Sequence, residues 1–272
     1  MLAVRLINAG MFIASSSQGE AELASAIRRL MPGLLVGPVL IVAAAFVASP
    51  YRELLWVAAA AVDFGSPLIA RISELRVVPS YFVARHGSVI IIALGETIVE
   101  LGAGATQDLH HPRVLGAVVL GVLISASLWW TYFGLTAGAE LRMQRTPAVD
   151  RPRLARDAYS YLHLPLVAGI IIFAAGEKIA IHDVGAPLSD AARLAFCGGV
   201  ALYLAAHVAF RVRMGGTVSF TRLWAVAALA VIFVAGGGLA AWALAGLVTV
   251  VLAVLCTVET VREHRAPAPL SP

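Results

Sequence analysis

Long apolar blocks alternate with short polar connections over nearly the whole chain. About 20 apolar residues, rising ~1.5 Å per residue in a helix, cross the ~30 Å hydrocarbon layer of a bilayer. Because lipid cannot hydrogen-bond to the backbone, such blocks must be helical. The pattern predicts an all-α, polytopic transmembrane helix bundle with about seven full spans and a partial N-terminal helix. The blocks assigned to spans are residues 33–49, 54–70, 86–104, 114–137, 159–181, 191–210, 222–238 and 239–258.

The composition excludes an ordinary water-soluble protein. The chain is 60% hydrophobic and only 13% charged, whereas soluble domains carry about 25% charged residues. We therefore assign residues 1–260 to one transmembrane helical domain. Residues 261–272 are polar and Pro-rich, and they predict a disordered cytoplasmic tail.

The basic residues predict how the bundle is oriented. With the spans above, fifteen arginines fall on one side of the membrane, and only Arg52, Arg113, Lys178 and Arg193 fall on the other. Lysine and arginine accumulate on the cytoplasmic side, so the C-terminus is predicted to be cytoplasmic. The net charge of +4 is then an orientation signal and does not indicate a nucleic-acid partner. Arg85 is most simply an anchor at the membrane surface, and a counter-ion for a substrate anion or for Asp63 is the alternative.

Two acidic residues, Glu96 and Asp63, lie near the middle of predicted spans. A carboxyl group in the hydrocarbon layer is costly unless it faces protein or water, so each is a functional-site hypothesis. Counting residues from the ends of their spans, which enter the membrane from opposite sides, places both side chains at similar depth. They could meet there and relay protons or coordinate a cation. The alternative is a neutral carboxyl group that bonds to a neighbouring helix. The full candidate set for a proton, cation or substrate site is Asp63, Arg85, Glu96, Glu100, His163, Glu177 and His207.

The remaining candidates also have structural alternatives. Glu100 lies one turn nearer the outer face, where water could solvate it. Glu177 precedes Lys178, and a snorkelling ion pair near the outer interface is the simpler interpretation. His163 and His207 lie near the cytoplasmic ends of their spans, where imidazole groups could pass protons or bond to backbone carbonyls. We predict no metal site, because a ligand spacing such as HExxH is absent.

A Gly-Glu pair occurs in two similar apolar segments, IIALGETI at 91–98 and IIFAAGEKI at 171–179. Both segments run outward from the predicted cytoplasmic side. A parallel internal repeat, as found in transporters, would explain the similarity. Convergence between two apolar helices explains it equally well.

The segments that carry these residues resemble a known family. YFVARHGSVIIIALGETIVELG (81–102) is similar to the signature of the bacterial low temperature requirement A (LtrA) membrane proteins. DAYSYLHLPLVAGIIIFAAGEKIAIH (157–182) and LYLAAHVAFRVRMG (202–215) also fit that family. The resemblance implies a multi-pass protein of the bacterial inner membrane. The family name refers to growth in the cold, a stress response, and implies no mechanism.

Two departures from the family pattern stand out. Tyr81 and Ala84 replace a histidine and a glutamate that precede the arginine of the family signature. The family's N-terminal helices are also expected to be missing, with this chain beginning inside a later helix.

The sequence favours one function and leaves a second open. The first hypothesis is a proton- or cation-coupled transporter or channel that uses buried carboxyl groups. The alternative is a non-transporting membrane scaffold, or an intramembrane enzyme acting on a lipid-soluble substrate, with an enzyme being less favoured. The expected partners are the lipid bilayer and a small ion or solute, without nucleic acid, and an oligomer is compatible with the sequence. No cofactor is expected.

Overall fold

The computed structural model describes residues 35–69, 77–105 and 111–265, together with Ile7, Gly10, Met11 and Gly33. Between residues 35 and 265, the described parts form eight helices and no β-strand. The predicted all-α membrane helix bundle is therefore confirmed. The helices are α1 (Leu35–Ala44), α2 (Tyr51–Ile69), α3 (Pro79–Ala105), α4 (Pro112–Arg145), α5 (Arg151–His182), α6 (Asp190–Gly215), α7 (Phe220–Ala235) and α8 (Ala241–Arg265).

Six of these helices are long and apolar enough to cross a membrane, namely α3 to α8. They contain the six predicted spans between residues 86 and 258, except for residues 236–240, which connect α7 to α8. Of the two earlier predicted spans, 33–49 corresponds to the shorter helix α1, and 54–70 corresponds to α2. Helix α2 has 19 residues but contains three charged residues, Arg52, Glu53 and Asp63, and it is not among these six. The number of spans in this part of the chain stays a prediction.

The C-terminal helix extends farther than the sequence indicates. Helix α8 ends at Arg265, so residues 261–265 are helical and not part of a disordered tail. Residues 266–272 lie outside the described residues.

The chain divides into two compact units. The first unit comprises Met1–Val77 and Thr146–Arg156, and the second comprises Val78–Arg145 and Asp157–Pro272. In the first unit, Gly33 and Gly37 leave a notch, and Ser66 and Asp63 of α2 occupy it. Small residues allow two helices to approach closely in this way.

The second unit packs α3 to α8 around one apolar core. Each of these helices contributes side chains that are completely or almost completely buried, including Ile90, Leu128, Phe173, Tyr203, Leu229 and Val248. Its surface is also apolar, with Ile92, Trp224 and Val234 each more than 70% exposed. A surface of this kind suits contact with lipid tails and not with water.

Two helices of the second unit contain a wide π-helical turn. One turn covers Arg156–Tyr161 at the junction of the two units in α5, and the other covers Leu194–Gly198 in α6. Such turns change the face that a helix presents and occur often at functional sites. Each lies beside one of the polar sites described below.

Buried polar contacts join the helix ends opposite the arginine-rich side. The backbone N–H groups of Ala241 and Trp242 donate to the carbonyl oxygens of Ala186 and Val184, which satisfies the first turn of α8. The Nε of Arg193 donates to the carbonyl of Phe233 at the end of α7 over 2.8 Å. These bonds fix α6, α7 and α8 at this end of the bundle.

Candidate functional site

Glu177 lies on the inner face of α5, about 7.5 Å along the helix from its end at His182. Its side chain is 2% exposed, although Lys178 beside it is an exposed residue on the outer face. The Nζ of Lys178 pairs with Glu100 on α3, at 2.9 Å. The predicted ion pair between Glu177 and Lys178 is therefore wrong, because successive helical residues point ~100° apart. Lys178, the partner predicted for Glu177, is instead paired with Glu100.

The carboxyl group of Glu177 adjoins a small cavity between five helices. Neither of its oxygens has a hydrogen-bond partner among the described residues. One oxygen lies against Gly121 of α4, so closely that a Cβ at that position would collide with it. The cavity has a volume of about 10 Å³, and its other lining residues are Leu101, Ala117, Gly121, Ala180, Ile181, Phe196, Ala241 and Ala245. Glu177 is thus an acid in an otherwise apolar site.

Buried hydroxyl groups continue along the inner face of α4. Ser125, one turn from Gly121, has its Oγ 2.6 Å from the Oγ1 of Thr97 on α3. The hydroxyl of Tyr203 on α6 donates to the carbonyl of Leu128 over 2.6 Å. These groups lie between the level of Glu177 and a second polar cluster about 20 Å farther along the bundle.

The second cluster, here called the histidine cluster, consists of His86, Tyr132, Tyr159, His163 and His207. The Nε2 of His163 lies 2.9 Å from the hydroxyl of Tyr132, and its Nδ1 lies 3.1 Å from the carbonyl of Ala158. That carbonyl belongs to the π-helical turn of α5, so the turn supplies the group that orients His163.

Ring contacts complete the histidine cluster. The rings of His86 and His163 have centroids 5.2 Å apart, and Tyr159 stacks on His163 at 4.8 Å. His207 packs against Tyr132 at 5.8 Å. His163 and His207 are almost fully buried, and the Nδ1 of His207 has no hydrogen-bond partner among the described residues. The structure therefore brings the two predicted histidines together through Tyr132.

A buried ion pair closes the arginine-rich end. Arg222 of α7 is completely buried, and it forms two bonds of 2.8 Å to the carboxylate of Glu259 on α8. Its guanidinium also donates to the carbonyl of Thr131 on α4 over 3.0 Å. This pair is not among the residues predicted from the sequence, because charges near span ends indicate membrane orientation before they indicate a buried contact.

Glu96, the principal candidate from the sequence, has an exposed side chain on α3, whereas the adjacent Thr97 is fully buried. The helices of the second unit therefore do not shield it as predicted. Arg85 is likewise exposed, with its guanidinium 4.7 Å from the centre of the Tyr81 ring.

Asp63 is half-buried beside Gly37 in the first unit. Glu96 belongs to the second unit. A direct contact between these two carboxyl groups stays a prediction.

Comparison with known proteins then decides the family. The family model for the bacterial low temperature requirement A protein (LtrA) matches residues 1–257. This chain belongs to the LtrA family. Membership of this family and the six long apolar helices together make the protein an integral membrane protein.

A curated relative of this LtrA chain is described as uncharacterized protein RA0937 of Rhizobium meliloti (strain 1021). The two are 25% identical over 221 residues, which are 77% of this chain and 53% of the relative. The chain thus spans about half the length of the curated relative that it matches. No solved structure shows a significant match to it.

Proposed function

We propose that this LtrA protein carries protons, alone or together with a small solute, across the bacterial inner membrane. The observation that supports this proposal best is the carboxyl group of Glu177, buried in a membrane helix without a hydrogen-bond partner among the described residues. A polar group in that position costs several kcal/mol and contributes no bond between helices. Such residues inside membrane bundles mark ion and proton pathways.

The histidine cluster provides the other end of the proposed pathway. Imidazole and phenol groups exchange protons, and His163, Tyr132 and His207 lie in contact there. The hydroxyl groups of Thr97, Ser125 and Tyr203 lie between that cluster and Glu177, and mobile water would connect them. With the predicted orientation, the histidine cluster faces the cytoplasm, and so does the C-terminus.

The other residues predicted from the sequence have peripheral roles in this proposal. Glu100 pairs with Lys178 at the Glu177 end. Glu96, Arg85 and Asp63 stay candidates for contacts with a solute that moves together with the proton.

The alternative functions have less support. An apolar groove between α7 and α8 is lined by Trp224, Val250 and Leu255, among others, and would suit a lipid-soluble molecule. Apart from the hydroxyl of Thr221 and the indole N–H of Trp224, the described residues that line it have apolar side chains, so they offer no acid or base for catalysis. A packing role for Glu177 in a scaffold is disfavoured because its carboxyl group bonds to no described residue.

The test is proton flux in liposomes that contain the purified protein and an entrapped pH-sensitive dye. Under an imposed pH gradient, we expect the wild type to dissipate the gradient faster than empty liposomes. Glu177→Gln preserves the shape of the side chain and should reduce the flux to the empty-liposome level. Glu100→Gln is the matched control, because it removes an acid from the same end of the bundle, and it should retain most of the flux. Equal flux in wild-type and empty liposomes, under every pH, ion and solute gradient tried, would contradict the proposal.

A further inference from the structure

The surroundings of Glu177 limit which ion it could bind. A divalent cation takes about six oxygen ligands, and Na⁺ in transporters is held by several oxygens that include unwound backbone carbonyls. The cavity beside Glu177 offers one carboxyl group, and its other side chains are apolar. Within the described residues, no group of three or more His, Cys, Asp or Glu could hold a metal ion.

The size of the cavity also argues against a bound metal cation. A volume of about 10 Å³ is near the minimum that admits one water molecule. A hydrated cation or an organic solute does not fit. A proton, exchanged directly or through one water molecule, needs only the carboxyl oxygen itself.

Among the described residues, no titratable side chain other than Glu177 lines the site. The lining consists of Leu101 from α3, Ala117 and Gly121 from α4, Ala180 and Ile181 from α5, Phe196 from α6, and Ala241 and Ala245 from α8. Any protonation change observed at this cavity would therefore belong to Glu177.

A buried apolar cluster adjoins both the cavity and a polar pocket at the end of the bundle, and its buried members are Leu101, Ala105, Val114, Ile181 and Val184. Ile181 lines both spaces and is only 4% exposed. It packs onto Gly104 of α3, where a Cβ would collide with its methyl group. The polar residues that line the pocket beyond it are His111, Arg113, His182 and Asp183.

We infer that Glu177 is a site for a proton and not for a metal cation, and that Ile181 is the gate between this site and the polar pocket. This inference rests on the proposed function; it excludes a metal cation from the Glu177 site and adds the route by which the proton reaches it. A rotation of the Ile181 side chain away from Gly104 would connect the two spaces through one water molecule. Closure of the gate would isolate the acid from the pocket.

Infrared difference spectroscopy on reconstituted membranes tests this inference without requiring flux. When the pH of the perfusing buffer is changed, we expect a carboxylic C=O band that is absent in Glu177→Gln and present in Glu100→Gln. Replacing choline by Na⁺, K⁺ or Mg²⁺ at constant pH and ionic strength should leave that band unchanged. A cation that removes the band, or identical pH difference spectra for the wild type and Glu177→Gln, would overturn the proton site.

The gate has its own readout in the same spectra. After a change to D₂O, the Glu177 band shifts as the carboxyl proton is exchanged for deuterium. Ile181→Ala should accelerate this shift several-fold, whereas the matched control Ile179→Ala, on the exposed face of α5, should not. Equal rates in the wild type and in a folded Ile181→Ala protein would overturn the gate. These spectra report proton binding and not transport. A protein that shows no proton flux would contradict the proposed function, but the proton site and the gate could still be tested in it.

Discussion

At the scale of single residues, the position of Glu177 depends on the absence of a side chain at Gly121. The carboxyl oxygen and the methyl groups of Leu101 occupy the space that a Cβ would need. Glycine at this position therefore allows α4 and α5 to enclose an acid that would otherwise be displaced.

This contact predicts the effect of Gly121→Ala. The added methyl group must move Glu177 or Leu101, and overpacking of this kind costs about 1–3 kcal/mol of unfolding free energy. Proton flux should fall as well, because the carboxyl group leaves its cavity. Unfolding in mixed detergent micelles measures the first effect, and the liposome assay measures the second.

Gly116→Ala is the matched control on the same helix, because nothing lies within 4 Å of a Cβ at that position. It should leave both the unfolding free energy and the flux close to those of the wild type. If Gly121→Ala behaved in the same way as Gly116→Ala, the close contact with Glu177 would be refuted.

The sequence identified Glu177 as a candidate but could not reveal its environment. Glu96 and Glu177 follow a glycine in similar apolar segments, yet one side chain is exposed and the other is buried. Helices that are apolar on every side lack the periodicity from which a buried face is predicted. Only the packing of neighbouring helices distinguishes the two positions, and no local pattern encodes it.

At the scale of helices, the ion pair of Arg222 and Glu259 connects α7 with α8, and its bond to Thr131 adds α4. The carboxylate and the carbonyl replace the hydration of Nε and Nη2 in this completely buried guanidinium, whereas Nη1 has no hydrogen-bond partner among the described residues. The pair therefore fixes the relative position of three helices at the arginine-rich end.

Removing one partner of this pair should be costly. Glu259→Gln leaves the positive charge of Arg222 buried without a carboxylate to neutralise it. We therefore expect a loss of about 3–5 kcal/mol in unfolding free energy. The double variant Arg222→Met/Glu259→Leu should lose less than Glu259→Gln alone, because it leaves no buried charge. Unfolding by denaturant in detergent micelles measures both values.

The control is the partly exposed pair of Arg213 and Asp157, whose side chains are 40% and 31% exposed. Arg213→Gln should cost about 0–1 kcal/mol, as surface ion pairs do. If Glu259→Gln lowered the unfolding free energy no more than Arg213→Gln does, the buried pair would not be what holds the helices together.

At the scale of the whole molecule, the distribution of arginine predicts the orientation in the membrane. We expect the turn at Gly185 to face the outside and the turn at Thr217 to face the cytoplasm. Both positions are exposed in connections between helices, so each accepts a reporter cysteine.

Labelling of intact cells checks this orientation. In a variant without Cys197 and Cys256, a membrane-impermeant maleimide should label Gly185→Cys in intact cells. It should label Thr217→Cys only after the cells are permeabilised. The reverse pattern would invert the proposed orientation and place the histidine cluster outside.

The fold was predictable from the sequence because the bilayer constrains it strongly. Long apolar blocks have to be helices of a known length, and the predicted spans 86–104, 114–137 and 159–181 lie inside α3, α4 and α5. The candidate site was predictable only in part. The partners of Glu100 and the pairing of Arg222 with Glu259 depend on contacts between residues far apart in the chain.

The most direct test of the account is the initial rate of proton flux in liposomes, compared for the wild type, Glu177→Gln and Glu100→Gln at equal protein density. We expect rapid flux for the wild type and for Glu100→Gln, and a rate equal to that of empty liposomes for Glu177→Gln. Undiminished flux in a correctly folded Glu177→Gln protein would contradict it.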